Sequence, residues 1–249
     1  MAPSTERGPH AALDDASRVR KASKIVAQLR AERSLEGADV LDIGCGNGVI
    51  ARELARAVGA SGSVVGVDVV DQRTTFEGYA FECVSGTTLP FPDNAFDVVI
   101  TNHCIEHVGG RDDQLNHLRE IARVLRADGI GYLALPNRWA LIEPHFHLPL
   151  LSWLPGSLRT PYVRLARRGD SYDCDIPTGA ELVRLLEAAD IDASEITLGA
   201  LPLILEIEEP RGLKRLLLQT PSRLAAPLEP LMPTRMFILR RRYVAPAAA

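Results

Sequence analysis

His103, Glu106 and His107 stand in the order H-x-x-E-H within "ITNHCIEHV" (Ile100 to Val108). Two imidazoles and a carboxylate at that spacing are the signature of inverted zinc proteases. Those enzymes need the motif on a continuous helix, so that both imidazoles face one way. Here it directly follows the apolar run "FDVVI", and Gly109-Gly110 interrupts it soon after. The scaffold is wrong for such a hydrolase, and no metal site is assigned. A divalent ion held by His103, Glu106, His107 and His145 is the minor reading. His145 and His147, in "EPHFHLPL", lie two apart and would share a face if the segment is extended. A positioned imidazole can take a proton from a hydroxyl, worth about 10²–10⁴-fold in rate. His103, His107 and His145 are therefore general-base candidates, with His147 beside them. His117 reads as a surface side chain of an amphipathic helix.

A second constellation lies upstream. "VLDIGCGNG" places Gly44, Gly46 and Gly48 between an apolar run and a helical pattern. Glycines there let a chain turn tightly and approach a ligand closely. The dinucleotide fingerprint G-x-G-x-x-G would put its third glycine at 49, where Val49 stands. Pyrophosphate binding is thereby disfavoured. Asp42 precedes the loop, and a carboxylate there suits a cationic or hydroxyl-rich ligand. Asp68 ends the next apolar run, at the place where an acid accepts hydrogen bonds from both ribose hydroxyls.

The elements that must hold these residues alternate. A helix is expected from Asp14 to about Arg33, with Val19, Ile25, Val26 and Leu29 on one side. Strands follow at "ADVLDI", "SVVGVD", "FECVS", "FDVVITN" and "IGYLALPN". "VIARELARAV" is a helix stopped by Gly59. "DDQLNHLREIARVLRADG" is a helix with Leu115, Leu118, Ile121, Ala122 and Leu125 on one face and Gly129 as its stop. Nearly continuous apolar strands separated by helices mean a parallel sheet covered on both faces. Ligands of such sheets bind beyond the carboxyl ends of the strands, at the switch point. "TGAELVRLLEAADI" is a further helix opened by Pro177 or Thr178. A strand is expected within "ASEITLGALPLIL" and a last one at "MFILRRR".

The blocks "VLDIGCGNGVIARELA", "VVGVD", "LPFPDNAFDVVITNHCIEHV" and "LREIARVLRADGIGYLALPN" resemble, in order and spacing, class I S-adenosylmethionine-dependent methyltransferases of the broad small-molecule type. The resemblance covers roughly residues 38–137. It implies a doubly wound, mostly parallel seven-stranded α/β sheet with an antiparallel last strand, and S-adenosylmethionine as cofactor. Asp42, Gly44, Gly46 and Gly48 would then lie against the methionine part, Asp68 against the ribose and Val69 beside the adenine. The family often has an acid before "LPF"; here Ser85-Gly86 stands there, leaving that contact to Ser85 or to backbone. Asn102 and His103 would face the sulfonium and its methyl. Glu106 and His107 match a common Glu-His pair, architectural or on the acceptor side.

The remainder bounds the function. The 249 residues are 46% hydrophobic and 24% charged, with a net charge of −4, so no basic field or aromatic-rich stripe points to nucleic acid. The four cysteines show no C-x-x-C pair and read as free thiols of a reducing compartment. No signal peptide and no run of about 18 apolar residues is seen, so a cytoplasmic protein without a membrane span is expected. Residues 1–12 read as a disordered tail and 13–249 as one domain. Segments 139–177 and 205–235 are candidate covers for a small-molecule acceptor. "RGLKRLLLQTPSRL" reads as core-facing leucines with a basic edge, and peripheral membrane contact is its other reading. The function expected is methyl transfer to a small molecule, at oxygen before nitrogen or carbon, with a sugar, polyketide or lipid-linked acceptor. A non-methylating reaction on the same scaffold (a cyclase), a nicotinamide-dependent oxidoreductase and a non-enzymatic cofactor-binding module are the alternatives.

Overall fold

A computed structural model describes residues 15–208 and 226–242. The expected tail at 1–12 and the whole of the basic leucine-rich stretch lie outside those residues. Helix α1 (Asp15–Glu32) leads into β1 (Asp39–Ile43), α2 (Val49–Val58), β2 (Ser63–Asp68), β3 (Ala80–Cys83), β4 (Phe96–Asn102), α3 (Arg111–Val124) and β5 (Leu125–Pro136). Then follow α4 (Gly156–Leu165), α5 (Gly179–Ala188), β6 (Ile191–Glu195), α6 (Leu201–Glu208) and β7 (Thr234–Arg241).

The seven strands form one sheet in the order β3-β2-β1-β4-β5-β7-β6. Strand β7 runs antiparallel to both its neighbours, while the pairs among β1 to β5 are parallel. The order reverses between β1 and β4, which makes their carboxyl ends the switch point. The central strands bury both faces, as their unbroken apolar text requires. Leu41, Ile43, Val99 and Leu133 pack with α3 and α5 residues on one side. Val40, Val98, Ile100 and Tyr132 pack with α1 and α2 on the other. Among the described residues, no helix is long and apolar enough to cross a membrane.

Several boundaries differ from the sequence reading. Helix α3 stops at Val124, and Gly129 is not its cap. Leu125 is already extended (φ −74°, ψ 133°), although its N–H still donates to Ile121. Arg126 pairs with Asp39 and Asp97 at the amino ends of β1 and β4, which holds residues 125–129 along the sheet. Gly129 is there for space: a Cβ would sit 2.9 Å from the Asp97 carbonyl oxygen. Strand β3 starts a residue earlier than expected and ends at Cys83. In "ASEITLGALPLIL" the strand ends at Glu195, and the apolar run from Leu201 is the helix α6. A short apolar run fits either structure by pattern alone, and an ion pair from Lys24 of α1 to Glu208 fastens this one.

Segment 139–177 is partly helical, as expected, and forms a small core of its own from Phe146, Leu148, Leu151, Val163, Cys174 and Ile176. Helix α5 opens at Thr178 with a capping box: Glu181 N–H donates to Thr178 Oγ1 (3.3 Å), and Thr178 N–H to Glu181 Oε2 (2.7 Å).

Candidate functional site

The loop after β1 is tied to β2 by two backbone hydrogen bonds, from Gly44 and Cys45 N–H to the Val67 carbonyl (2.8 and 3.1 Å). Gly44, Gly46 and Gly48 all have positive φ (74°, 53° and 83°). Each is glycine for a different reason. A Cβ on Gly44 would meet Cys104 Sγ at 2.8 Å, so two strand ends can close on each other. One on Gly48 would run into the Tyr79 hydroxyl and come within 2.5 Å of the Thr75 carbonyl. Gly46 has no atom within 4 Å on that side, leaving an open cradle.

Asp68 shapes the same loop. Its Oδ2 accepts from Gly46 N–H (2.9 Å) and its Oδ1 from Val69 N–H (2.8 Å). Each oxygen keeps a lone pair, since a carboxylate can accept about four hydrogen bonds. Asp42 is 2% exposed, and its Oδ2 has no partner among the described residues. Burial, and then repulsion from Asp68, push its carboxyl up to about 7, against the attraction of Arg18 on α1. Gly44, Asp68, Val69, Gly86, Cys104 and His117 line a shallow cleft, with Val84 and Leu89 on its wall. Ser85 is exposed and does not line it, although both its neighbours do.

The open cradle at Gly46, the buried acceptor on Asp42 and the spare lone pairs of Asp68 fit a ligand that carries hydroxyls and a positive charge. No arginine or lysine side chain lines this cleft among the described residues.

His117 corrects the sequence reading: it is 3% exposed, with Nε2 2.9 Å from Thr101 Oγ1. The buried face of α3 is Gln114, His117, Leu118, Ile121 and Val124, turned from the face drawn through Leu115 and Leu125. Burial pushes the His117 imidazole down to about 4, so it is neutral at pH 7.

Beyond β4 the chain turns sharply. Asn102 closes the strand, partly buried, and His103 has φ 53°. Ile105–His107 is a single 3-10 turn rather than the helix a zinc hydrolase needs. It buries Glu106 to 1% exposure. Glu106 Oε1 lies 3.4 Å from His103 Nδ1 and 3.1 Å from His145 Nε2, while Oε2 has no partner among the described residues. Burial alone would raise the Glu106 carboxyl, but the two histidines outweigh it and hold the group well below the usual carboxylate range. Burial lowers the His103 imidazole; for His145 the desolvation is overcome by Glu106, and the net direction is upward. The His145 ring sits edge-on to those of His103 and His107, with centroids 5.6 and 5.1 Å apart.

Thus the strand end and the insertion bring together His103, His107 and His145. His147 does not join them. The segment turns at His147 (φ 54°), so the two histidines do not share a face, and His147 is exposed. Sequence reasoning missed Cys104, Cys174 and the α1 cations Arg18 and Lys21. Burial pushes Lys21 down to about 8, with Arg18 and Lys24 repelling it and Glu106 attracting it. Nothing local marks these residues, since α1 meets the strand ends only through tertiary packing.

Residues 41–133 match the family described as "Methyltransferase domain". A ubiquinone biosynthesis O-methyltransferase of Parvibaculum lavamentivorans is 29% identical over 138 residues, covering 51% of this chain and 52% of that one. A demethylmenaquinone methyltransferase of Bacillus licheniformis is 36% identical over 104 residues, 38% of this chain and 43% of that one. The chain thus spans about half the length of the curated relatives it matches. Among solved structures, an S-adenosylmethionine dependent methyltransferase of Mesorhizobium loti superposes with a TM-score of 0.60 at 16% identity, covering 90% of this chain and 100% of that one.

Proposed function

Since residues 41–133 form a methyltransferase domain of the class I S-adenosylmethionine-dependent family, we propose that the chain methylates a hydroxyl oxygen of a small molecule. The observation that carries this reading is the juxtaposition of the Gly44–Asp68 cleft with the histidine cluster at the end of β4. Bound S-adenosylmethionine supplies an electrophilic methyl on a sulfonium, with a neutral thioether as leaving group. Asp68 would take the ribose hydroxyls, Val69 the adenine face, and Ser85 or the Gly86 backbone the adenine edge. Asp42, with Gly44, Gly46 and Gly48 as loop framework, would take the methionine end.

The protein's task is mostly orientation, holding the acceptor in line with the methyl at about 3 Å. A neutral hydroxyl must also shed a proton, and the cluster of His103, His107 and His145 is where it would go. Burial keeps His103 unprotonated at neutral pH, which favours acceptance. The names of the relatives, ubiquinone and menaquinone methyltransferases, make hydroxylated aromatic acceptors the first to test. An open cavity of about 470 Å³ beside Pro136, Arg138, Trp139 and Arg235 offers room for one.

Calorimetric binding of S-adenosylmethionine, followed by release of S-adenosylhomocysteine with phenolic, quinol and amine acceptors in parallel, tests the proposal. Turnover confined to amines removes the oxygen assignment; no cofactor binding removes the whole reading.

Asp42 adds a pH signature. Its folded carboxyl holds a proton up to about 7, whereas the unfolded chain gives it up in the ordinary carboxylate range. The folded state therefore binds more protons between those two values, and stability falls as pH rises through that window. A cationic ligand favours the ionised form and expels the proton. Cofactor affinity is expected to rise between pH 6 and 8, and to flatten in Asp42→Asn. An equal slope in that variant would remove Asp42 from the binding reading.

A further inference from the structure

We propose that His103, Glu106 and His145 form a site for one divalent cation of borderline softness, zinc(II) first. The three ligands come from a strand end, a 3-10 turn and the 139–177 insertion. Their donor atoms all lie within 4.8 Å of one another. The two histidine nitrogens stand 3.4 and 3.1 Å from the same oxygen of Glu106. Tetrahedral zinc with bonds of about 2.0–2.2 Å sets neighbouring ligand atoms about 3.3–3.5 Å apart. The two gaps to Glu106 therefore lie within about 0.2 Å of the edge of such a site.

As a hydrogen-bonded group alone the arrangement is poor. One carboxylate oxygen serves both imidazoles, while the other is buried with no partner among the described residues. Leaving a buried acceptor unsatisfied is costly, more so when it is charged. A cation supplies the opposite charge that a fully buried carboxylate calls for. The backbone adds a second sign. His103 is held at φ 53°, a strained conformation for a non-glycine residue of the kind that gathers at functional sites. The sequence spacing pointed to His107 as the second imidazole; it is the insertion that supplies His145 in its place.

Three protein ligands leave a fourth position. An acceptor oxygen bound there would lose its proton more readily, because a cation stabilises the oxyanion; with His103 and His145 on the ion, His107 beside them would be the imidazole left to take that proton. That role rests on the methyl-transfer reading; the binding of the ion does not. A rival set, His107, His145 and Cys174, also lies within 4.8 Å and shares His145, so one ion cannot use both in full.

The full chain, stripped with chelator and dialysed, is titrated with zinc against a chromophoric indicator, with S-adenosylmethionine binding followed on the same samples. One equivalent of zinc is expected. His145→Ala and Glu106→Gln each weaken it by about 100-fold or more, whereas His107→Ala and Cys174→Ser change it by less than about threefold. Cobalt(II) in the same site is expected to give tetrahedral visible bands without a sulfur-to-cobalt charge-transfer band. Failure to take up stoichiometric zinc, or unchanged affinity in His145→Ala, overturns the site. So does a charge-transfer band that disappears in Cys174→Ser, which would assign the ion to the rival set. His145→Ala lies in the insertion, so it tests the site even if Glu106→Gln does not fold. Cofactor binding that persists in metal-free protein keeps the two proposals apart.

Discussion

Asp68→Ala is expected to weaken S-adenosylmethionine binding by about 100-fold or more. Two contributions add. The proposed ribose contacts are hydrogen bonds to a charged acceptor, worth about 1.5–3 kcal/mol each, and about 1.4 kcal/mol is a factor of ten. The variant also releases Gly46 and Val69, whose N–H groups both donate to Asp68. The loop is therefore less organised before any ligand arrives. Asp68→Asn keeps one acceptor oxygen and the shape, and should lose about tenfold. Calorimetry on variants with unchanged circular dichroism reads both values. A dissociation constant for Asp68→Ala within threefold of the parent would falsify the ribose assignment.

Gly48→Ala should cost the most stability of any small change in the loop, about 3 kcal/mol or more. At φ 83° an alanine pays about 1–3 kcal/mol for backbone strain. Its Cβ must also displace Tyr79 and the Thr75 carbonyl, which sits only 2.5 Å away. Overpacking of this kind adds about 1–3 kcal/mol. For a chain of this length each kcal/mol is about 2–4 °C of melting temperature, so a loss of about 6–12 °C is expected. Gly46→Ala is the control. It has a similar backbone requirement but open space, and should lose about half as much or less. Equal losses would mean that packing against the 74–79 loop contributes nothing.

The two variants also separate what the sequence revealed from what it did not. The strand cores, the glycine loop and Asp68 were legible because their signal is local: apolar period, turn chemistry, an acid at a strand end. The seven mostly parallel strands and the antiparallel last one came with the family resemblance; their order did not. What escaped was decided by contacts remote in sequence. Leu125 to Gly129 left the helix because Arg126 finds Asp39 and Asp97. His117 looked solvated because Leu115 and Leu125 were taken as the core face, about one residue's rotation away from the buried face. His145 and His147 were paired by spacing, yet a left-handed turn sends one to Glu106 and the other to solvent. Gly48 was picked out as a loop glycine. Its neighbours Tyr79 and Thr75, which a Cβ there would strike, are likewise set by packing that its local sequence does not show.

The insertion keeps its shape by its own apolar contacts and is moored to the strand ends at few points. One is Glu106, through the His145 side chain and the Asp175 N–H to the Glu106 carbonyl (2.8 Å). Another is Gln114, whose amide donates to the Asp175 carbonyl (2.7 Å). Such a segment behaves as a cassette. Its solvent-facing residues can be rewritten, or the whole exchanged for another of like span, without recutting the sheet, provided the histidine and the Asp175 backbone land where Glu106 and Gln114 wait. If the segment covers the acceptor as expected from the sequence, acceptor choice and cofactor binding would be separately editable parts of one chain.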